Sequence, residues 1–363
     1  MILKQIKQHK FISILAAALI IAAAVCSVFI VKAANMLPTQ QIWKVWRGDN
    51  EMPFSQISVF ISESQNVGVS DINDFRTKAA KALSDASFVA DDGRMLFTDC
   101  WSTSGTATVS SDRSSNTVSV IAAGGNFFDF HPLKLVDGSY LSPDDLNLDS
   151  VLVDRRLAWF FFGGIDVAGL TIDVEGTPYV IAGVVELEND FASKKADSSE
   201  MMLFMHYDAY AMLHSGDGTS GISCYEIILP DPVKNFAINI VNSNFTFKKI
   251  EIAEITGRFS LISMFKALFN MPASVINKGI ALPYWENAGR YALNHCAALL
   301  GVACLCLLLI PVPGLIIGII KSIIFEVSYL KYDVILDAME KAEETIRVRE
   351  RKHWEKKHPN SHD

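Results

Sequence analysis

The chain reads as an α+β fold: a mixed domain outside the membrane, bracketed by two transmembrane helices and followed by a cytoplasmic helix. Three observations predict this. Phe11–Val31 and Cys296–Ile320 are apolar runs without a charged residue, each longer than the roughly 18 to 20 residues that cross a bilayer core. Residues 55–105 and 222–256 each carry a strand–helix–strand pattern. Between them Leu170, Ile172 and Val174 alternate with Thr171, Asp173 and Glu175, the period of a half-buried strand.

The first run follows Lys4, Lys7 and Lys10, a basic segment at residues 1–10. That arrangement also fits a signal peptide, with Val31-Lys32-Ala33 as a small-residue cleavage site. The run exceeds the usual apolar region of about 7 to 15 residues, and Lys32 is awkward beside a cleavage point, so an uncleaved anchor at 11–31 is the preferred reading. Nine basic residues follow Ile320, and by the positive-inside rule they put the C-terminus in the cytoplasm. Two spans then place the N-terminus inside as well, and residues 33–295 outside. The outer segment carries 19 basic and 31 acidic residues, which makes it a poor partner for phosphate polymers. Nucleic acid is therefore not an expected partner.

Within the outer segment, Ile57–Ser62 reads as a strand. Val69-Ser70-Asp71 can start a helix to about Ser87, with Ile72, Phe75, Ala79 and Leu83 on one stripe. Met95–Asp99 and Ala107–Ser110 read as two further strands, Ser110–Asn116 as a polar turn and Thr117–Ala122 as the returning strand. Glu175-Gly176-Thr177-Pro178 supplies a turn, and Tyr179–Val185 closes the hairpin. Asn189–Glu200 reads as a polar, mobile connection. Cys224–Leu229 is a strand, Pro230-Asp231-Pro232 opens a helix to about Asn242, and Phe247–Ile255 is another strand. Phe259, Ile262, Phe265, Lys266 and Phe269 suggest an amphipathic helix in the membrane-proximal segment 259–295. Tyr284, Trp285 and Tyr291 have the apolar bodies and polar tips that suit a bilayer interface.

The order of elements from Gly124 to Glu186 carries a resemblance. An aromatic turn precedes the short strand Leu133–Gly138, and an acidic loop with Asp144 and Asp145 leads to Val151–Val153. Leu157–Gly164 then ends a helix, and Asp166–Ile172 and Tyr179–Val185 complete the series. This resembles the extracytoplasmic core domain of MacB-type and FtsX-like ABC transporter permeases. The resemblance implies a mixed α/β subdomain, about 55–123 and 200–256, with a β-rich insert at about 124–186. The segment Leu282-Pro283-Tyr284-Trp285-Glu286-Asn287 is similar to one in small permease-like proteins of Gram-positive bacteria, which implies a bacterial cell membrane of that type.

Catalytic, metal and cofactor sites are not expected. His131, His206, His214 and His295 lack metal-ligand spacing such as H-E-x-x-H. His131 beside Pro132 reads as structural. Asp145–Asp149 has Ser150 where a calcium loop needs Gly, and no Glu at position 12. Gly124-Gly125 and Gly163-Gly164 do not continue as a phosphate-binding loop, and no Walker motif occurs in the chain. Cys100 and Cys224 are the two cysteines outside the spans; a disulfide between them and a pair of free buried thiols are both open.

Residues 321–363 form the cytoplasmic tail. Phe325, Tyr329, Tyr332, Leu336 and Met339 recur at helical spacing, a candidate stripe for docking a partner. The same stripe would serve a helix lying on its own spans or on the inner leaflet. The resemblance implies a non-catalytic component of an ABC transporter system, working with a separate ABC ATPase or permease subunit, with membrane lipid around its spans and self-association as a further expectation. Complete family permeases have four spans, three of them after the core domain, whereas one follows it here; an accessory subunit is the form this suggests. The alternative is a two-span sensor or scaffold that binds a ligand or protein through its outer domain.

Overall fold

The computed structural model describes residues 2–88, 96–111, 114–196, 200–215, 221–270, 276–277 and 279–357. The expected strand start at Met95, residues 112–113 of the polar turn and 197–199 of the polar connection lie outside the described residues. The chain divides into two compact units, Ser27–Gly301 and the paired segments Met1–Cys26 and Val302–Asp363.

The unit Ser27–Gly301 is built on a sheet that begins with both strand–helix–strand patterns. Strand β1 (Phe54–Ile61) leads through α3 (Val69–Asp85) to β2 (Thr98–Ser110). The second pattern is β9 (Cys224–Pro230), α8 (Phe236–Asn244) and β10 (Ile250–Glu254). They interleave in the order β10-β1-β9-β2, all antiparallel, which is a split β-α-β arrangement with α3 and α8 packed side by side. The predicted stripe Ile72, Phe75, Ala79 and Leu83 is the buried face of α3. Asp71 accepts the Gly68 N–H at 2.9 Å and so secures the helix start.

Two boundaries differ from expectation. The two short strands expected around residues 95–110 are one strand of 13 residues, because β2 pairs along its length with β3 (Ser115–Gly125). The second helix starts at Phe236 rather than at Pro230–Pro232. Asp231 bends back to accept the Ala237 N–H at 3.0 Å, so the proline segment is a turn feeding the cap.

Beyond β3 the sheet continues through β8 (Met202–His206), β5 (Ser150–Asp154), β7 (Thr177–Glu186) and β4 (Lys134–Gly138). Strand β6 (Thr171–Val174) pairs with β7 and also with β2, through Val109↔Val174 and Ser110↔Asp173. The path β2-β3-β8-β5-β7-β6 therefore closes into a ring, which removes its free edges. Glu175 and Gly176 both have positive φ, the two-residue turn whose twist matches an antiparallel hairpin. At Gly138 (φ +72°) a Cβ would lie 2.1 Å from the Ala182 carbonyl, so close approach of β4 to β7 requires glycine. Short helices α4 (Phe127–Phe130), α5 (Arg155–Phe162) and α7 (Tyr207–Leu213) join these strands.

Both faces of β1 are buried. Ile57, Val59 and Ile61 face α3 and α8, whereas Phe54 and Phe60 face a second core with Phe127, Phe130 and Trp285. Helix α2 (Ile42–Arg47), the two-residue strand β12 (Ile280–Ala281), which pairs with β11 (Ile276–Asn277), and the start of α10 (Tyr284–Leu309) cover that second face. The polar connection Asn189–Glu200 contains helix α6 (Phe191–Ala196), an outcome the sequence reading missed. Asp190 caps it by accepting the Ala192 and Ser193 N–H groups, and Ala192 packs against Ala288 and Ala292 of α10.

Helix α1 (Ile2–Ala34) and helix α9 (Leu261–Phe269) are the remaining α-helices before the tail among the described residues. In the unit formed by the chain ends, the second apolar run is not one helix. Helix α10 stops at Leu309 and α11 (Val312–Lys357) begins after Ile310-Pro311, since proline cannot continue the hydrogen-bond ladder. Among the described residues, two stretches, Lys10–Ala34 and the one beginning at Tyr284, are long and apolar enough to cross a membrane.

Candidate functional site

Two sites in the unit Ser27–Gly301 bring polar side chains into buried surroundings. The first is a cleft of about 490 Å³ where α3 and β2 meet the loop after Leu141 and the end of β8. Gly124 forms its floor because Trp101 lies across it; a Cβ there would be 2.3 Å from the indole nitrogen. Arg76 stands over the Trp101 ring at 4.8 Å and grips Asp99 with two bonds of 2.7 Å. The Tyr225 hydroxyl donates to the same carboxylate at 2.7 Å. The hydrogen bond to Asp99 raises the Arg76 pKa against the opposing effect of burial, while burial pushes the Tyr225 phenol well up. Opposite lie His206, 3.5 Å from Asp145, and Asp144 and Asp208. The lining of the cleft is largely polar, and among the described residues it shows no nucleophile hydrogen-bonded to a base.

The second site is the joint between the sheet and the helix that leads to the membrane. His131 Nε2 is 2.6 Å from Glu226 Oε2, and Ser58 donates to Glu226 Oε1 at 2.8 Å. The imidazole is flanked by Phe127 and Trp285, each with its ring centre 4.4 Å away. Trp285 is thus a core residue and not an interfacial anchor, a correction that follows from α10 beginning inside the domain. Tyr284 donates to Glu188 at 3.2 Å, and Lys195 covers the Tyr291 ring at 4.7 Å, so these rings also have partners within the domain.

Deeper along α10, Glu286 accepts two bonds from Arg258, at 2.7 and 2.8 Å, and one from Arg290 at 2.7 Å. Arg290 also reaches Glu251 on β10 at 2.5 Å. Burial lowers the Arg290 pKa, but Glu286 and Glu251 together outweigh it and the net shift is upward. Gly289 makes the geometry feasible, since a Cβ there would lie 2.2 Å from Arg258 Nη1. Two arginines and two glutamates balance in charge, the condition under which ions tolerate burial. The sequence reading missed this cluster. Its one local signal was Glu286 and Arg290 at the i,i+4 spacing of a helical pair.

Cys100 and Cys224 lie buried on β2 and β9 as free thiols. Cys100 is paired in register with Glu226, and Cys224 with Ser102, so the cysteines are diagonal neighbours. Diagonal positions are about 7 to 8 Å apart, beyond the ~4.4 to 6.8 Å between Cα atoms that a bridge needs. Burial first, then Glu226, pushes both thiols well above their ordinary range. Among the described residues, Cys100, His131 and Glu226 form a group whose ligand atoms, within 4.8 Å of one another, could hold a metal ion. Both Glu226 oxygens already have donors in Ser58 and His131, while among the described residues the buried His131 Nδ1 has no hydrogen-bond partner. In the other unit, Phe325, Tyr329, Tyr332, Leu336 and Met339 all lie on α11 and are exposed.

The family model described as the MacB-like periplasmic core domain matches residues 11–238. The chain is similar to the periplasmic region of MacB from Actinobacillus actinomycetemcomitans, at 18% identity over 64% of this chain and 100% of that one, with a TM-score of 0.41. It is also similar to the extracellular domain of the noncanonic ABC-type transporter YknZ from Gram-positive bacteria. There the identity is 14% over 55% of this chain and 99% of that one, with a TM-score of 0.37. No curated protein matches the chain.

Proposed function

The chain belongs to the MacB-like family of ABC transporter permeases, and from that premise we propose that it is a non-catalytic membrane component whose outer domain is driven by a separate ATPase. Both termini lie in the cytoplasm. The domain outside engages a substrate or an envelope partner, and α10 carries movement between that domain and the membrane.

The observation that carries this reading is the cluster Arg258–Glu286–Arg290–Glu251. It fixes the start of α10 to β10 and to the segment after it through three short charge-assisted bonds, and Arg290 and Glu286 are also joined to each other within the helix. A helix anchored this way moves with the domain, because separating them would strand buried charges.

Affinity purification of the full chain in mild detergent tests the reading. Co-purification of an ABC ATPase or permease subunit is expected. ATP hydrolysis by the purified chain alone would contradict it, and recovery only with sensor-kinase components would favour the sensor or scaffold.

A further inference from the structure

Helix α9 has the sequence LISMFKALF, in which Ser263 and Lys266 are the only polar residues. Met264 and Ala267 are buried, yet Leu261, Ile262, Phe265 and Phe269 are 71, 69, 54 and 78% exposed. The outward arc of Leu261, Ile262, Phe265 and Phe269 is apolar, and non-aqueous surroundings would match it as the core matches the inward side. Its inner side is accounted for: Met264 packs with Ile30, Ala33 and Cys296, and Leu268 approaches Gly301 so closely that a Cβ there would be 3.1 Å away. Ile30 and Cys296 are the outer ends of the two apolar runs.

We propose that α9 lies along the outer leaflet, with Leu261, Ile262, Phe265 and Phe269 inserted at the boundary between headgroups and acyl chains. The proposal rests on the membrane-spanning reading of the two runs. Four features select lipid over a protein partner. Met264 of α9 packs with Ile30 and Ala33 of the first apolar run, whose neighbours in sequence Val28, Phe29 and Val31 are themselves exposed and apolar. Nine residues extend about 13 to 14 Å, too short to cross a bilayer core and suited to lying in its surface. The polar groups at the helix start serve one another: Ser260 Oγ accepts the Ser263 N–H at 3.2 Å, and Ser263 Oγ donates to the Gly257 carbonyl at 2.9 Å. Little there depends on water. Lys266, the single charge, is exposed and long enough to reach phosphate level while its stem stays in the apolar layer. Such an element would hold the domain at a set height and tilt, and restrict movement of the joint at Glu286 to directions that keep α9 in the leaflet.

The test is carbene photolabelling of the full chain in phosphatidylcholine nanodiscs containing a phospholipid with an acyl-chain diazirine. Adducts are mapped by mass spectrometry. Adducts on 261–269 at a frequency comparable to those on 11–31, with α3 as the unlabelled background, are expected. The double variant F265S/F269S should bring 261–269 down to that background. Adducts on both spans but none on 261–269 would overturn the proposal while leaving the membrane reading intact, and no adducts on the spans would overturn both. In parallel, p-benzoylphenylalanine at position 265 should cross-link to lipid; a cross-link to protein, whether a second copy or another chain, would replace lipid as the occupant.

Discussion

His131 and Glu226 meet at 2.6 Å across 95 residues of sequence, both buried, with Trp285 of α10 packed against the imidazole. The contact ties the aromatic turn, the central strand β9 and the membrane-leading helix at one point. Removing the imidazole strands a buried carboxylate oxygen, at a cost of about 1 to 3 kcal/mol before the lost packing against Phe127 and Trp285 is counted. His131→Ala should therefore lower the thermal midpoint of the purified protein by more than Glu226→Gln, which keeps a side-chain amide in place. Equal midpoints for wild type and His131→Ala would show that the pair contributes nothing.

The Glu286 cluster makes a stronger demand. Glu286→Ala leaves Arg258 and Arg290 buried without their shared partner, and a loss of about 3 to 5 kcal/mol is expected in denaturant unfolding. Gly289→Ala tests the same geometry by sterics alone, since its Cβ would displace Arg258. The two variants should resemble each other in direction, and the double variant should cost less than their sum, because both act on one network. Full additivity would place Gly289 outside the network.

Glu188 supplies a pH prediction. Burial raises its pKa above the ordinary carboxylate value, against the smaller opposing effects of hydrogen bonds and His131. A carboxyl with a raised folded pKa binds more protons folded than unfolded, so its effect on stability worsens as pH climbs from the unfolded to the folded pKa. Glu188→Gln should thus be more stable than wild type at neutral pH, with the difference vanishing in acid below the unfolded pKa. An advantage that persists unchanged at acid pH would rule out this origin.

Topology can be read at two positions. Leu146 is 98% exposed in the outer domain, so a cysteine there should react with a membrane-impermeant maleimide on intact cells. A tag after Arg347–Lys357 should resist protease until the membrane is opened. A protease-sensitive tail on intact cells would reverse the orientation derived from the basic residues.

The tail stripe separates docking from lipid contact. Tyr332→Glu and Leu336→Glu each place a charge on the exposed apolar side of α11, costing several kcal/mol if a partner buries it. Recovery of the ATPase or permease complex should fall, while thermal unfolding of the outer domain stays unchanged. Full recovery with both variants would move the coupling site elsewhere, with the Lys4–Lys10 segment next in line.

Sequence alone determined the features that depend on neighbours along the chain. The two uncharged runs, the stripe from Ile72 to Leu83 on α3 and the hairpin turning at Gly176 are each written in a period or a composition, and periodicity reports which residues share a face. What covers that face was decided only by tertiary structure. Trp285 carries the composition of a membrane-interface residue but lies in the core, because α10 starts against Phe127 and His131. Asn189–Glu200 looked like a solvated loop, yet Ala192 docks on α10. Arg258, Glu286 and Glu251 are ordinary surface residues by local context; they became a buried cluster through contacts spanning 28 and 39 residues. The ring of strands likewise closes through two residue pairs of β6 and β2, whose register no local pattern specifies. Burial of charge is favourable only when partners arrive together, and that condition belongs to the fold as a whole.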